Sequence, residues 1–128
     1  MIKTRSKAAH TIKISTDKLR DQNFCSAEID SVLDFFKDLG FYVKGSQISP
    51  EVAHHAFHAW IRGYYCAARE YMETAQEREP TQWEFVAYLF EETHSIEIER
   101  GKGRHKRHLD KIALNAFLEQ EIALCPPN

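Results

Sequence analysis

Apolar positions along this chain recur at three- and four-residue spacing from about residue 26 onward. From Ser26 the run Ser-Ala-Glu-Ile-Asp-Ser-Val-Leu-Asp-Phe-Phe-Lys-Asp-Leu-Gly places Ile29, Val32, Leu33, Phe36 and Leu39 on one helical stripe. Ser26 is the expected N-cap, Glu28 and Asp30 lie in the positive first turn, and Gly40 reads as the left-handed residue that ends the helix. Phe41-Tyr42-Val43 then reads as a short apolar crossover, with a second glycine at Gly45.

Ser49 followed by Pro50 opens the strongest element, a serine cap with proline at the first helical position. Ala53, Phe57, Trp60, Tyr64, Ala67 and Tyr71 repeat at alternating four- and three-residue steps, and Ile61, Tyr65 and Met72 widen that seam. The expectation is one long central helix over about 49–78 with Trp60 in the core. Gly63 falls inside it, where glycine costs about 1 kcal/mol relative to alanine, and close approach of a neighbouring helix explains it better than a hinge. Glu79-Pro80 ends the helix, because the residue before proline is pushed out of the α region. Thr81 and Glu84 have capping-box spacing, and Trp83, Val86, Leu89, Phe90 and Thr93 mark the inner face of the next helix. Residues 95–99 fit either a strand or an extension of that helix, with helix preferred. Gly101-Lys102-Gly103 is a break, after which Leu109, Ile112, Ala113, Ala116, Phe117 and Ile122 support a last helix.

These elements predict an all-α fold, a bundle of about four helices forming a single domain over residues 24–125. Residues 1–23 are polar and basic and read as a loosely ordered N-terminal arm, in which only 11–15 alternates as a short strand would.

Composition changes the picture through charge. The net charge is −2, yet residues 1–20 carry six basic groups against Asp17, a net +5, and residues 100–111 carry six against Asp110, again +5. The remaining segments therefore hold −12. Such a partition suits an anion-binding surface, or basic segments folded back over an acidic helical body. Cys25, Cys66 and Cys125 match no zinc or redox spacing and read as reduced thiols, with Cys66 a small core residue. No apolar run approaches the ~18 residues of a membrane span, and no apolar block follows the first basic residues, so the expected setting is the cytoplasm.

Over residues about 24–89, several segments together resemble a family of uncharacterised bacterial helical domains, domain of unknown function 4760. They are Val32-Leu33-Asp34-Phe35-Phe36, Leu39-Gly40, Val43-Lys44-Gly45, Ile48-Ser49-Pro50-Glu51, Trp60-Ile61-Arg62 with Tyr64-Tyr65, and Trp83-Glu84-Phe85. The resemblance implies a bacterial helical domain and brings no activity with it. Many members carry an N-terminal membrane segment, where this chain has a basic polar arm.

Candidate chemistry is sparse. Glu51 with His54 and Glu91 with His94 have the Glu-x-x-His spacing of di-iron bundles, but 13 glutamates and seven histidines in 128 residues make two such pairs ordinary. His54 and His58 stand one turn apart as in His-Glu-x-x-His enzymes, without the glutamate that would act as base. On the helical wheel both fall at the boundary of the buried arc and His55 lies outside it, so partly exposed flanks are expected and no metal ligand is assigned. No glycine-rich phosphate loop and no nucleophile motif is present, and no catalytic residue, cofactor or small-molecule substrate is assigned. Arg100, Lys102, Arg104, Lys106 and Arg107 are the candidate contacts to an anion or a nucleic-acid backbone, without the interleaved aromatics that stacking on bases would need.

The sequence thus predicts a non-enzymatic interaction or regulatory module whose partner is another protein or a second copy. The alternative is a nucleic-acid-associated protein using residues 1–20 and 100–111. A weaker alternative is a helical metalloprotein.

Overall fold

The computed structural model describes residues 2–101 and 108–125. They form six helices and no strand: α1 (Ile2–Ile14), α2 (Ala27–Lys44), α3 (Pro50–Ala67), α4 (Arg69–Arg78), α5 (Glu84–Arg100) and α6 (Lys111–Ala123). Packing closes into a ring, with α5 against both α2 and α3, α2 against α1, α1 against α6, and α6 against α3. The all-α class is as expected, but the helix count is six rather than about four.

The caps legible in the sequence form as expected. Ser26 Oγ accepts from the Ile29 amide at 3.2 Å and Ser49 Oγ from the Val52 amide at 3.1 Å, each satisfying one of the amides that a helix start leaves unpaired. The expected stripe of α2 is buried at Ile29, Val32, Leu33 and Phe36, and that of α5 at Val86, Leu89, Phe90 and Thr93. Residues 95–99 belong to α5, in agreement with the preferred reading.

Several expectations are corrected. Residues 1–23 are not a loose arm with a strand at 11–15; most of the first fourteen form α1, whose buried residues are Ser6, Ala8, Ala9 and Ile12. Three of those four are small, so the helix docks closely while showing almost no hydrophobic pattern. Gly40 does not end α2, which continues to Lys44 and takes in Phe41, Tyr42 and Val43. The left-handed position after this helix falls to Ser46, at φ 64°. Gly40 is instead a contact point, because a Cβ there would lie 2.1 Å from the Phe85 carbonyl oxygen of α5. Gly63 does follow the expected logic, since a Cβ would meet the Phe117 ring of α6 at 2.2 Å.

The long central helix is interrupted at Ala68 (φ −100°, ψ 11°) between α3 and α4. Beyond the break Tyr71 reaches the start of α2, where its hydroxyl accepts from the Ser26 amide at 3.1 Å and donates to Asp30 at 2.7 Å. Trp60 is only partly buried; the centre of the buried arc lies at His54, Ile61 and Tyr64, a rotation of the seam toward α5 and α6. The capping box at Thr81 does not form. Thr81 instead bonds Glu79 through its amide and hydroxyl, holding that carboxyl below the usual range, and α5 begins after Trp83 in the left-handed region (φ 63°). On α6 Ile112 is 85% exposed, and the buried residues are Leu118 and Glu121.

Candidate functional site

Charge determines how the N-terminal basic residues are used. The Arg5 guanidinium meets the Glu121 carboxylate in a two-pronged bond, Nε to Oε1 at 2.9 Å and Nη2 to Oε2 at 2.7 Å, the arrangement arginine favours with carboxylates. The Tyr64 hydroxyl lies 2.7 Å from Glu121 Oε1 and 3.0 Å from the Arg5 carbonyl oxygen, its one proton serving either acceptor. Burial, followed by this contact with Glu121, pushes the Tyr64 hydroxyl far above its ordinary pKa. The guanidinium also stands 4.6 Å from the centre of the Trp60 ring. Ser6 Oγ donates to the Ile122 carbonyl at 2.9 Å, Lys13 pairs with Glu119, and Arg20 pairs with Glu70 at 3.0 Å. Three of the six basic groups in residues 1–20 are thus bound to carboxylates of α4 and α6.

Of the candidate contacts in the second basic segment, Arg100 is the exposed last residue of α5, while Lys102, Arg104, Lys106 and Arg107 lie outside the described residues. His108 is exposed and sits 3.1 Å from Arg69 Nη1.

The seam between α3 and α5 holds the most chemically distinctive group. His54 and His58, one turn apart on α3, face Glu97 on the last two turns of α5. His54 is 3% exposed, against the expectation of a partly exposed flank, while His58 is exposed as expected. His54 Nε2 contacts Glu97 Oε1, and His58 Nε2 lies 3.7 Å from the same oxygen. The two imidazoles stack with ring centres 4.6 Å apart at 17°, and both Nε2 atoms lie near Glu97 Oε1. All three ligand-type atoms fall within 4.8 Å of one another, the only such group of three or more His, Cys, Asp or Glu among the described residues. His58 Nδ1 lies 3.0 Å from the His54 carbonyl oxygen. A carbonyl only accepts, so Nδ1 of His58 carries a hydrogen.

Neither Glu-x-x-His pair acts as a unit: His54 joins the group without Glu51, which is exposed, and Glu91 is exposed while His94 stacks on Phe90 at 5.3 Å. The i, i+4 histidine spacing was the only visible signal. Glu97 became a partner through the register of α5 on α3, which no local pattern encodes.

A third surface is aromatic. Phe35, Phe41 and Tyr42 of α2 are 39%, 54% and 47% exposed, and Val52 in the first turn of α3 is 59% exposed. These rings are braced edge-on: Phe35 against Phe57 at 5.5 Å, and Phe41 against Phe85 at 5.5 Å and Tyr42 at 6.0 Å. Among the described residues no helix is long and apolar enough to cross a membrane. No family model, curated protein or solved structure matches the chain.

Proposed function

We propose that this chain is a non-enzymatic helical interaction or regulatory module that docks another protein, or a second copy of itself, against the aromatic edge of α2. The observation that carries this reading is the exposure of Phe35, Phe41 and Tyr42 in rings already held by neighbouring aromatics. Aromatic side chains dominate protein interfaces, and rings fixed before binding lose little conformational entropy when a partner arrives. Phe35 and Tyr42 are seven residues apart, two helical turns, and so share one face of α2.

The pairing of Arg5, Lys13 and Arg20 with carboxylates supports the accompanying reading of the charge pattern, in which basic segments offset an acidic helical body. A bacterial cytoplasmic setting belongs to the same proposal. So does the resemblance of residues 24–89 to domain of unknown function 4760, which adds no activity.

A photo-crosslinking amino acid placed at Tyr42 tests the docking edge in cells, with exposed Asn115 on α6 as control. A discrete adduct from position 42 that position 115 does not give is the expected outcome, and an adduct of twice the chain mass identifies a second copy. Identical adduct patterns from the two positions contradict the assignment.

A further inference from the structure

We propose that His54, His58 and Glu97 bind one divalent transition-metal ion of the zinc class in the seam between α3 and α5. The donor set is two imidazoles and one carboxylate, which suits zinc and its first-row neighbours. Ligands 2.0–2.1 Å from a tetrahedral ion stand about 3.3 Å apart; the 3.7 Å from His58 Nε2 to Glu97 Oε1 lies close to that spacing, while His54 Nε2, in direct contact with the same oxygen, must draw back from it for an ion to enter.

The tautomer of His58 suits an ion. Its Nδ1 hydrogen is directed to the His54 carbonyl, which leaves Nε2, on the side of the carboxylate, as the ring nitrogen that can donate a lone pair to a cation. The Nδ1-to-carbonyl contact is the outer bond that ordinarily sets the tautomer of a metal-bound histidine. Nε2 of His54 contacts the Glu97 carboxylate, which only accepts, so it carries a hydrogen there; Nδ1 has no hydrogen-bond partner, so that proton can move to it and free the Nε2 lone pair for an ion. Three protein donors leave a fourth position for water.

The site bridges one end of α3 to the far end of α5, so the ion fastens two helices that the chain joins only through α4. Its test is independent of the aromatic edge, since neither Tyr42 nor Phe41 takes part.

The chain is stripped with chelator and titrated with zinc chloride by calorimetry, with elemental analysis of the reloaded protein. His58→Ala and Glu97→Gln are compared with His55→Ala, whose exposed side chain lies outside the cluster. His58 is itself 44% exposed, and circular dichroism verifies that each variant keeps its helices. The site predicts one ion per chain, weakened about tenfold or more by His58→Ala and by Glu97→Gln and unchanged by His55→Ala. Zinc is expected to raise the melting temperature of the parent chain and not of His58→Ala, because an ion that binds only the folded state stabilises it. No stoichiometric uptake, uptake indifferent to His58→Ala and Glu97→Gln, or an equal loss in His55→Ala would overturn the site.

Discussion

Gly40→Ala is expected to destabilise the fold by about 3 kcal/mol or more, although alanine is the better helix former by about 1 kcal/mol. Two effects oppose each other here and the distances decide between them. The added methyl would lie 2.1 Å from the Phe85 carbonyl oxygen and 2.9 Å from its carbon, and these are backbone atoms of α5 that no rotamer change can move. The helices must separate, and α2 against α5 is the most extensive helix packing among the described residues, so the loss spreads over Val32, Leu33, Val86 and Leu89. Gly45→Ala is the control. There the nearest atom is the end of the flexible Gln47 side chain, and φ is −80°, so the change should be close to neutral. Urea midpoints followed by circular dichroism give both values. A Gly40→Ala protein as stable as the parent would mean that α2 and α5 do not approach as described.

Glu121→Leu is expected to cost about 3 kcal/mol, because it strands the Arg5 guanidinium beside the Tyr64 hydroxyl in a site where the Glu121 side chain is 5% exposed and that of Arg5 16%. The sign of a second change separates this from ordinary packing. Buried pairs are costly to break and cheap to remove whole, so Arg5→Met combined with Glu121→Leu should recover part of the loss. Measured by urea unfolding, a double variant no more stable than the single would show that the pair is not the cause. Amide exchange should also quicken in α1 in the single variant, since Ser6 and Lys13 alone would then hold it to α6 by polar bonds.

Much of the fold could be read from residues that act locally. Ser26, Ser49-Pro50 and the stripes of α2 and α5 act within a turn or two of themselves, and the starts of α2 and α3 and the buried faces of α2 and α5 fall where expected. α1 was missed because a helix that docks through Ser6, Ala8 and Ala9 has no large apolar stripe, and its anchor, Glu121, is 116 positions away. Gly40 was misread because a glycine that ends a helix and one that admits a neighbouring backbone look alike in sequence. The break at Ala68 has no breaker residue, and what it accomplishes, the reach of Tyr71 to Ser26 and Asp30, lies in tertiary structure. The histidine pair was visible at its spacing, whereas Glu97 entered only when α5 was laid on α3.

Binding to nucleic acid tests most directly the proposal that this is a protein-docking module whose basic segments offset its own acidic helices. A labelled single strand and a duplex of about 20 nucleotides, titrated at 50 and 150 mM salt, would read the charge pattern, since each phosphate contact contributes about 0.7–0.9 to the salt slope. The account predicts no saturable binding at 150 mM and only a slight change in stability, about 0–1 kcal/mol for each exposed pair lost, when Arg104, Lys106 and Arg107 are all replaced by glutamine. Saturable binding at 150 mM that weakens steeply with salt and disappears in that triple variant would contradict it.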